Sequence, residues 1–152
     1  PHTAYSTAKF AVKGFSEALL EDLRVYAPHV KVAVVMPGHV GTDIVINSRR
    51  HHGHAEPDAL TDAELDEMRA DLARRGLGGD ISNDDMRGVL KLMGEGFRDN
   101  APVSAAAAAT VILDGVRAGE WRILIGDDAH RLDADVRADP EGIYRTSRPL
   151  FG

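Results

Sequence analysis

A long amphipathic helix, followed by an apolar strand and a Pro-Gly break, is the feature that most limits how this chain can fold. Apolar residues recur every three or four positions over residues 3–26, which predicts one continuous helix with a buried stripe. The stripe consists of Ala8, Ala11, Val12, Phe15, Ala18, Leu19 and Leu23. Pro28 ends the helix, and the largely β-branched run at residues 31–36 predicts a strand. Such a run is typical of a parallel sheet that helices cover on both faces.

A second strand follows an alanine-rich helix near the end of the chain. Ser104 is expected to cap this helix and Gly119 to end it. Residues 121–125 then predict another buried strand, which Gly126 closes. Because the two strands are joined by a long crossover, we expect them to pair in parallel. The predicted fold class is therefore α/β.

Beyond the second strand, the chain predicts one more helix. Asp127 or Asp128 is expected to cap it, and it should continue to about residue 138. Residues 139–152 are rich in proline and arginine and lack periodicity, so no element is predicted there.

Residues 44–100 are polar and interrupted by glycines, and they predict a loop that carries two helices. Thr61 and Glu64 have the spacing of a capping box at the start of the first helix. Its apolar face is expected to hold Leu65, Met68 and Leu72, and its end to lie at Gly76, Gly78 and Gly79. The second helix, residues 83–97, is expected to place on its apolar side Val89, Leu90, Met93 and Phe97.

Tyr5 and Lys9 are the clearest candidates for catalytic chemistry. Residues four apart on a helix share one face, so this phenol and this ammonium can share a site. At an effective dielectric constant of about 20, an ammonium about 4 Å from a phenolate stabilises it by roughly 4 kcal/mol. An effect of that size lets a tyrosine serve as a general acid or base near neutral pH. Taken alone, the same spacing is also a common coincidence on helices.

The Tyr5-x-x-x-Lys9 motif, the helix and strand around it and the turn at residues 37–42 together resemble classical short-chain dehydrogenases/reductases. The resemblance implies the carboxyl-terminal part of a doubly wound parallel-sheet (Rossmann-type) domain. It also implies an enzyme that uses NAD or NADP to interconvert an alcohol and a carbonyl by hydride transfer. The turn follows a strand, and ligands of open α/β sheets bind beyond the carboxyl ends of strands.

The resemblance implies a role for individual residues. Tyr5 would donate or remove the hydroxyl proton, and Lys9 would favour the phenolate and hold the nicotinamide ribose. The implied cofactor-binding residues are Tyr5, Lys9, Pro37, Gly38, Val40 and Thr42. Residues 44–100 would form the substrate lid.

In that family a glycine-rich turn, a serine and an asparagine precede the catalytic tyrosine by more than the four residues found here. We therefore expect residues 1–152 to be a partial domain, the carboxyl-terminal half, and the isolated chain to be inactive. The chain begins with Pro1 instead of methionine, which supports this expectation.

Two other functions are compatible with parts of the pattern. A chain without catalysis could serve as a structural or interaction module through its apolar helix faces. An extended-type epimerase or dehydratase also carries Tyr-x-x-x-Lys, although the Pro-Gly turn fits the classical type better. The substrate, the direction of the reaction and the choice between NAD and NADP stay open at this point.

The composition argues against several kinds of partner and site. A formal charge of −6 does not provide the basic surface that nucleic acid or an acidic membrane requires. There is no cysteine for disulfides or thiolate chemistry. His51, His52 and His54 predict a solvated loop and no metal site, and the glycines at 76–79 and 94–96 lack the spacing of a dinucleotide fingerprint.

The remaining expectations concern location and assembly. No apolar run approaches the roughly 20 residues of a membrane span, so we expect a cytoplasmic enzyme acting on a small molecule. The apolar stripe of the first helix exceeds what two short strands can cover, so we expect a homo-oligomer or association with an upstream half.

Overall fold

The computed structural model describes residues 3–74, 76 and 81–145 of the chain. The α-helices of this part are α1 (Thr3–Tyr26), α2 (Ile44–His51), α3 (Asp62–Arg74), α4 (Asn83–Asp99), α5 (Ala105–Ala118) and α6 (Asp127–Ala138). The strands are β1 (Val34–Pro37), β2 (Val40–Gly41), β3 (Val103–Ser104) and β4 (Arg122–Ile125). Short 3₁₀ turns lie at Pro57–Ala59 and Gly142–Tyr144. The chain divides into two compact units, one formed by residues 1–40 and 103–152 and the other by residues 41–102.

In the first unit, β1 and β4 form a two-stranded parallel sheet, as the crossover predicted. The register runs from Val34 opposite Arg122 to Pro37 opposite Ile125. The prediction of a strand at residues 31–36 was wrong in its bounds. Because β4 contains only four residues, only four residues of β1 can pair with it.

The prediction that this strand is covered on both faces was also wrong. Val34 is buried, but Val35 is 36% exposed. Within the part of the chain that the structure describes, β4 is the only strand that pairs with β1, so β1 has an edge without a neighbouring strand. An edge strand of such a small sheet stays accessible to solvent.

The core of this unit lies around β4. Ala108 of α5 packs with Ile123 and Ile125, which alternate with less buried residues along the strand. Val40 and Val103, from the paired strands β2 and β3, pack against the same cluster. The core therefore joins the end of the Pro-Gly turn to β4.

Helix α1 has the predicted bounds but not the predicted burial. None of its residues is buried, and Val12 and Phe15 are 59% and 68% exposed. A helix of 24 residues is about 36 Å long, whereas a strand of four residues spans only about 13 Å. Two short strands cannot cover such a helix, which explains the exposed stripe.

The ends of α5 were predicted correctly, but the start of α6 was not. The Ala107 N–H donates to Ser104 Oγ over 3.1 Å, and Gly119 ends α5 in the left-handed conformation with a φ of 75°. At α6 the cap position is Gly126, with a φ of 90° that side chains rarely adopt. Asp127 and Asp128 therefore follow the cap as the first two helical residues.

Residues 41–102 form the second unit, with its own core of Leu60, Leu65 and Met86. Thr61 and Glu64 form the predicted capping box: the Thr61 N–H donates to Glu64 Oε2 over 2.8 Å, and the Glu64 N–H donates to Thr61 Oγ1 over 3.3 Å. Leu65 is fully buried, with Met68 and Leu72 packed beside it, as predicted.

The predicted apolar side of the next helix was partly wrong. In α4, Met86 and Leu90 pack into the core, but Val89 and Met93 are 43% and 64% exposed. Met86 and Leu90 are four residues apart and share one face, so the buried face begins one turn earlier than expected. Phe97 is half-buried.

Helix α2 was not predicted, because the sequence analysis interprets residues 44–100 as a polar loop with only two helices, and Asp43 at its cap position makes no side-chain capping bond. Helix α3 ends at Arg74, before the expected glycines. Gly76 adopts a φ of 70° and donates its N–H to the Ala73 carbonyl over 3.0 Å. Gly78 and Gly79 lie outside the described residues, as does the tail beyond residue 145.

None of the helices that the structure describes has both the length and the apolar character that a membrane crossing requires.

Candidate active site

Helix α1 brings Tyr5 and Lys9 together on one exposed face. The Lys9 Nζ lies over the Tyr5 ring, 5.3 Å from its centroid, which is within the range of a cation–π contact. Tyr5 is 56% exposed, so both groups are accessible to a ligand. One turn further along, Lys13 forms an ion pair of 2.6 Å with Glu17, so the basic side chain nearest in sequence is engaged elsewhere.

The turn after β1 lies at the carboxyl edge of the parallel sheet. Pro37 is paired with Ile125 at the end of the ladder, and the Gly38 N–H continues it by donating to the Ile125 carbonyl over 2.9 Å. Val40 is half-buried against the β4 core. Pro37, Gly38 and Val40 are thus brought together at the edge where open α/β sheets bind ligands.

Asp128, in the first turn of α6, also contacts this turn, a role that sequence reasoning missed. Its Oδ2 accepts a hydrogen bond of 2.6 Å from the His39 N–H, although the two residues are 89 positions apart. Its Oδ1 accepts from the Ala129 N–H over 3.0 Å. The sequence signal is an acidic pair separated by one residue from a strand, a pattern that also predicts a helix cap. The carboxylate instead holds the main chain of the turn.

Thr42 does not belong to the same unit as the other candidate residues. It is half-buried at the start of the unit formed by residues 41–102 and precedes Asp43, the residue at the cap position of α2. Gly41 approaches α4 so closely that a Cβ there would overlap the Arg98 carbonyl. The Arg98 guanidinium in turn donates to Asp43 over 3.2 Å and to Asp99. The contact with Asp99, and then that with Asp43, raises the pKa of Arg98, and the Arg98 guanidinium lowers the pKa of Asp99.

The histidine-rich segment begins on the last residue of α2 and continues into the exposed loop that the sequence predicts, with His52 and His54 beyond the helix. His51 is the last residue of α2, and its ring contacts that of His52 edge-on at a centroid distance of 5.6 Å. Over residues 3–74, 76 and 81–145, no group of three or more His, Asp or Glu side chains is arranged to hold a metal ion.

Comparisons with known proteins point to one family. Residues 2–53, which include Tyr5, Lys9 and the turn, match the family described as short chain dehydrogenase. The chain is also 30% identical over 135 residues to the protein named "Putative oxidoreductase SadH" in two strains of Mycobacterium tuberculosis, CDC 1551 / Oshkosh and ATCC 25618 / H37Rv. That similarity covers 89% of this chain but 37% of each relative, so the chain spans well under half of their length. No solved structure matches the chain. The matched segment and these relatives together support the assignment of the chain to the short-chain dehydrogenase/reductase family.

Proposed function

We propose that the whole protein is an NAD- or NADP-dependent oxidoreductase that interconverts an alcohol and a carbonyl. The observation that carries this proposal is the pairing of Tyr5 and Lys9 on one accessible face of α1, within the segment that matches the family. The relatives named as oxidoreductases support the same class of reaction.

The residues present fit a nicotinamide cofactor at the turn. The turn leaves the sheet at its carboxyl edge, where ligands of open α/β sheets bind. Pro37 and Val40 would line the cofactor there, and the Lys9 ammonium would donate to ribose hydroxyls. Thr42 is proposed as a cofactor-binding residue from the family resemblance alone. When bound, the nicotinamide would accept or supply the hydride.

Tyr5 would carry the proton. In the oxidation direction its phenolate accepts the proton of the substrate hydroxyl, and in reduction its O–H donates that proton to the carbonyl oxygen. Lys9 Nζ lies 5.3 Å from the centroid of the Tyr5 ring, and its attraction to a phenolate there would be strongest once a ligand has excluded water from the exposed pair.

The test is Tyr5→Phe in the whole protein, assayed by nicotinamide absorbance with NAD and NADP separately against a panel of alcohols and carbonyls. We expect turnover to fall at least about 100-fold, with cofactor binding nearly unchanged, because only the acid/base group is lost. Tyr26→Phe is the matched control: Tyr26 lies on the same helix and is 83% exposed. It should behave as the wild type does.

Two outcomes contradict the proposal. If Tyr5→Phe retains near-normal turnover, Tyr5 is not the acid/base. If the wild type neither binds nor turns over either cofactor, the non-catalytic interaction module becomes the better interpretation. The comparisons do not favour that alternative.

Three further parts of the proposal concern the rest of the chain. We propose that residues 44–100 form the substrate lid, because they belong to a separate compact unit that follows the turn. A cytoplasmic location and a homo-oligomeric state stay predictions from the sequence.

A further inference from the structure

We propose that Asp128 is a positioning residue that fixes the turn presenting Val40 to the nicotinamide. The inference rests on the proposed function for its ligand. Its basis is the contact of one carboxylate with two segments that are far apart in sequence, the turn after β1 and the start of α6.

The carboxylate is engaged through both oxygens. Oδ2 accepts the His39 N–H over 2.6 Å, and Oδ1 accepts the Ala129 N–H over 3.0 Å. Hydrogen bonds from a main-chain N–H to an ionised carboxylate are shorter and roughly twice as strong as neutral ones. Because His39 is held in this way, the conformation of the next residue, Val40, is restricted from its amino-terminal side.

The glycine of the Pro-Gly turn is explained by the same carboxylate. A Cβ at Gly38 would overlap the Asp128 carboxylate. Gly38 is not among the described glycines with positive φ, so its main chain does not itself require glycine. Glycine at this position instead leaves room for the Asp128 carboxylate, which a Cβ would displace. Gly126 is similarly restricted, since a Cβ there would lie 2.5 Å from Asp128 Oδ1.

A simpler role for Asp128 would be a favourable charge in the first turn of α6. Asp127 offers the matched comparison, because it occupies the same turn and is exposed. If the helix dipole were the whole explanation, neutralising either residue would have the same effect. The His39 contact predicts that only Asp128 affects the cofactor.

The experiment compares Asp128→Asn with Asp127→Asn in the whole protein, measuring kcat, the KM for NAD and for NADP, and thermal unfolding. An amide has one acceptor oxygen in place of two, so one of the two hydrogen bonds is lost. We expect the cofactor KM to rise about 10-fold in Asp128→Asn, as loss of a charge-assisted bond implies, with kcat within about twofold. Asp127→Asn should leave both within about twofold.

Gly38→Ala provides a second measurement, because it displaces the carboxylate without removing its charge. It should raise the cofactor KM in the wild-type background and add little to Asp128→Ala, since the two changes disrupt the same contact. Should Asp128→Asn fail to fold, Asp128→Glu, which keeps the charge but moves both oxygens, takes its place with the same expected rise in the cofactor KM.

An active wild type in which Asp128→Asn has an unchanged cofactor KM, or in which the effects of Gly38→Ala and Asp128→Ala are additive, overturns this inference alone. An Asp128→Asn variant that unfolds at a lower temperature but keeps its KM also overturns it, in favour of a purely structural role. A wild type without nicotinamide-dependent turnover overturns the proposed function itself.

Discussion

Gly115 of α5 lies directly against the side chain of Ile123 in β4. A Cβ at position 115 would be 2.8 Å from both Cγ1 and Cδ1 of Ile123. Ile123 is almost completely buried and belongs to the core that also contains Val40, one residue beyond the point where Asp128 holds the turn. The packing of α5 on the sheet thus depends on a position without a side chain.

Gly115→Ala should therefore destabilise the protein. Alanine favours a helix by about 1 kcal/mol over glycine, but overpacking a core costs typically 1–3 kcal/mol. We expect a net loss of up to about 2 kcal/mol in the free energy of unfolding. Gly88→Ala, on an open part of α4, should instead stabilise by about 0.5–1 kcal/mol. Denaturant unfolding of both variants measures this, and a Gly115→Ala protein as stable as Gly88→Ala contradicts the packing.

The core of residues 41–102 should depend on Leu65. Its side chain is fully buried against Leu60 and Met86. Leu65→Ala should cost about 2–5 kcal/mol, from lost burial and the cavity left behind. Leu92→Ala is the matched control, because Leu92 is 67% exposed on α4, and it should change stability by less than about 0.5 kcal/mol. Equal effects of the two variants in denaturant titration would show that Leu65 is not a core residue.

Lys9 should affect both binding and turnover, unlike Tyr5. In Lys9→Met the ammonium over the Tyr5 ring is lost, so the phenolate and the ribose both lose a partner. We expect kcat to fall at least about 100-fold and cofactor affinity to fall by about tenfold. Lys13→Met on the same helix removes only the ion pair with Glu17, which is partly exposed, and should leave both within about twofold. Steady-state kinetics of the two variants decide whether Lys9 has this double role.

Features that depend on neighbouring residues could be predicted from the sequence. The Ser104 cap, the Thr61–Glu64 capping box and the Gly119 helix end each follow from side chains within a few positions. The α1 bounds and the Tyr5–Lys9 pair are local in the same sense, because helical spacing alone brings the two side chains together. Local chemistry determines these features before any tertiary contact forms.

Features that depend on distant partners could not be predicted. The length of β1 is limited by β4, which lies about ninety residues away in sequence. The role of Asp128 needs the approach of His39, and nothing near Asp128 distinguishes it from a helix cap. The exposure of Phe15 depends on how much of the sheet lies against α1. Helical periodicity predicts which face is apolar but not how much of that face is covered.

The homo-oligomer predicted from the sequence can be tested through the exposed apolar stripe of α1, which a second copy of the chain could cover. Val12 and Phe15 of this stripe are 59% and 68% exposed. If the stripe is buried between copies, light scattering on a dilute sample should give more than one chain per particle, and Phe15→Glu should shift it toward the monomer. Leu92→Glu, equally exposed on α4, should not. A wild type that stays monomeric and unfolds cooperatively would refute the prediction.

The capping box of α3 should make stability depend on pH in the acid range. The Thr61 hydroxyl and then the Thr61 N–H donate to the Glu64 carboxylate and lower its pKa below the usual value for glutamate. Because the folded pKa is below the unfolded value of about 4.3, this stabilisation is complete above that pH and is lost as the pH falls through the lowered pKa. Glu64→Gln keeps an acceptor for the box but cannot titrate there. Its melting temperature should therefore fall less than that of the wild type between about pH 5 and pH 3, whereas Glu67→Gln, exposed on the same helix, should follow the wild type. Parallel melting curves for Glu64→Gln and the wild type over this range would show that the capping box contributes no such pH dependence.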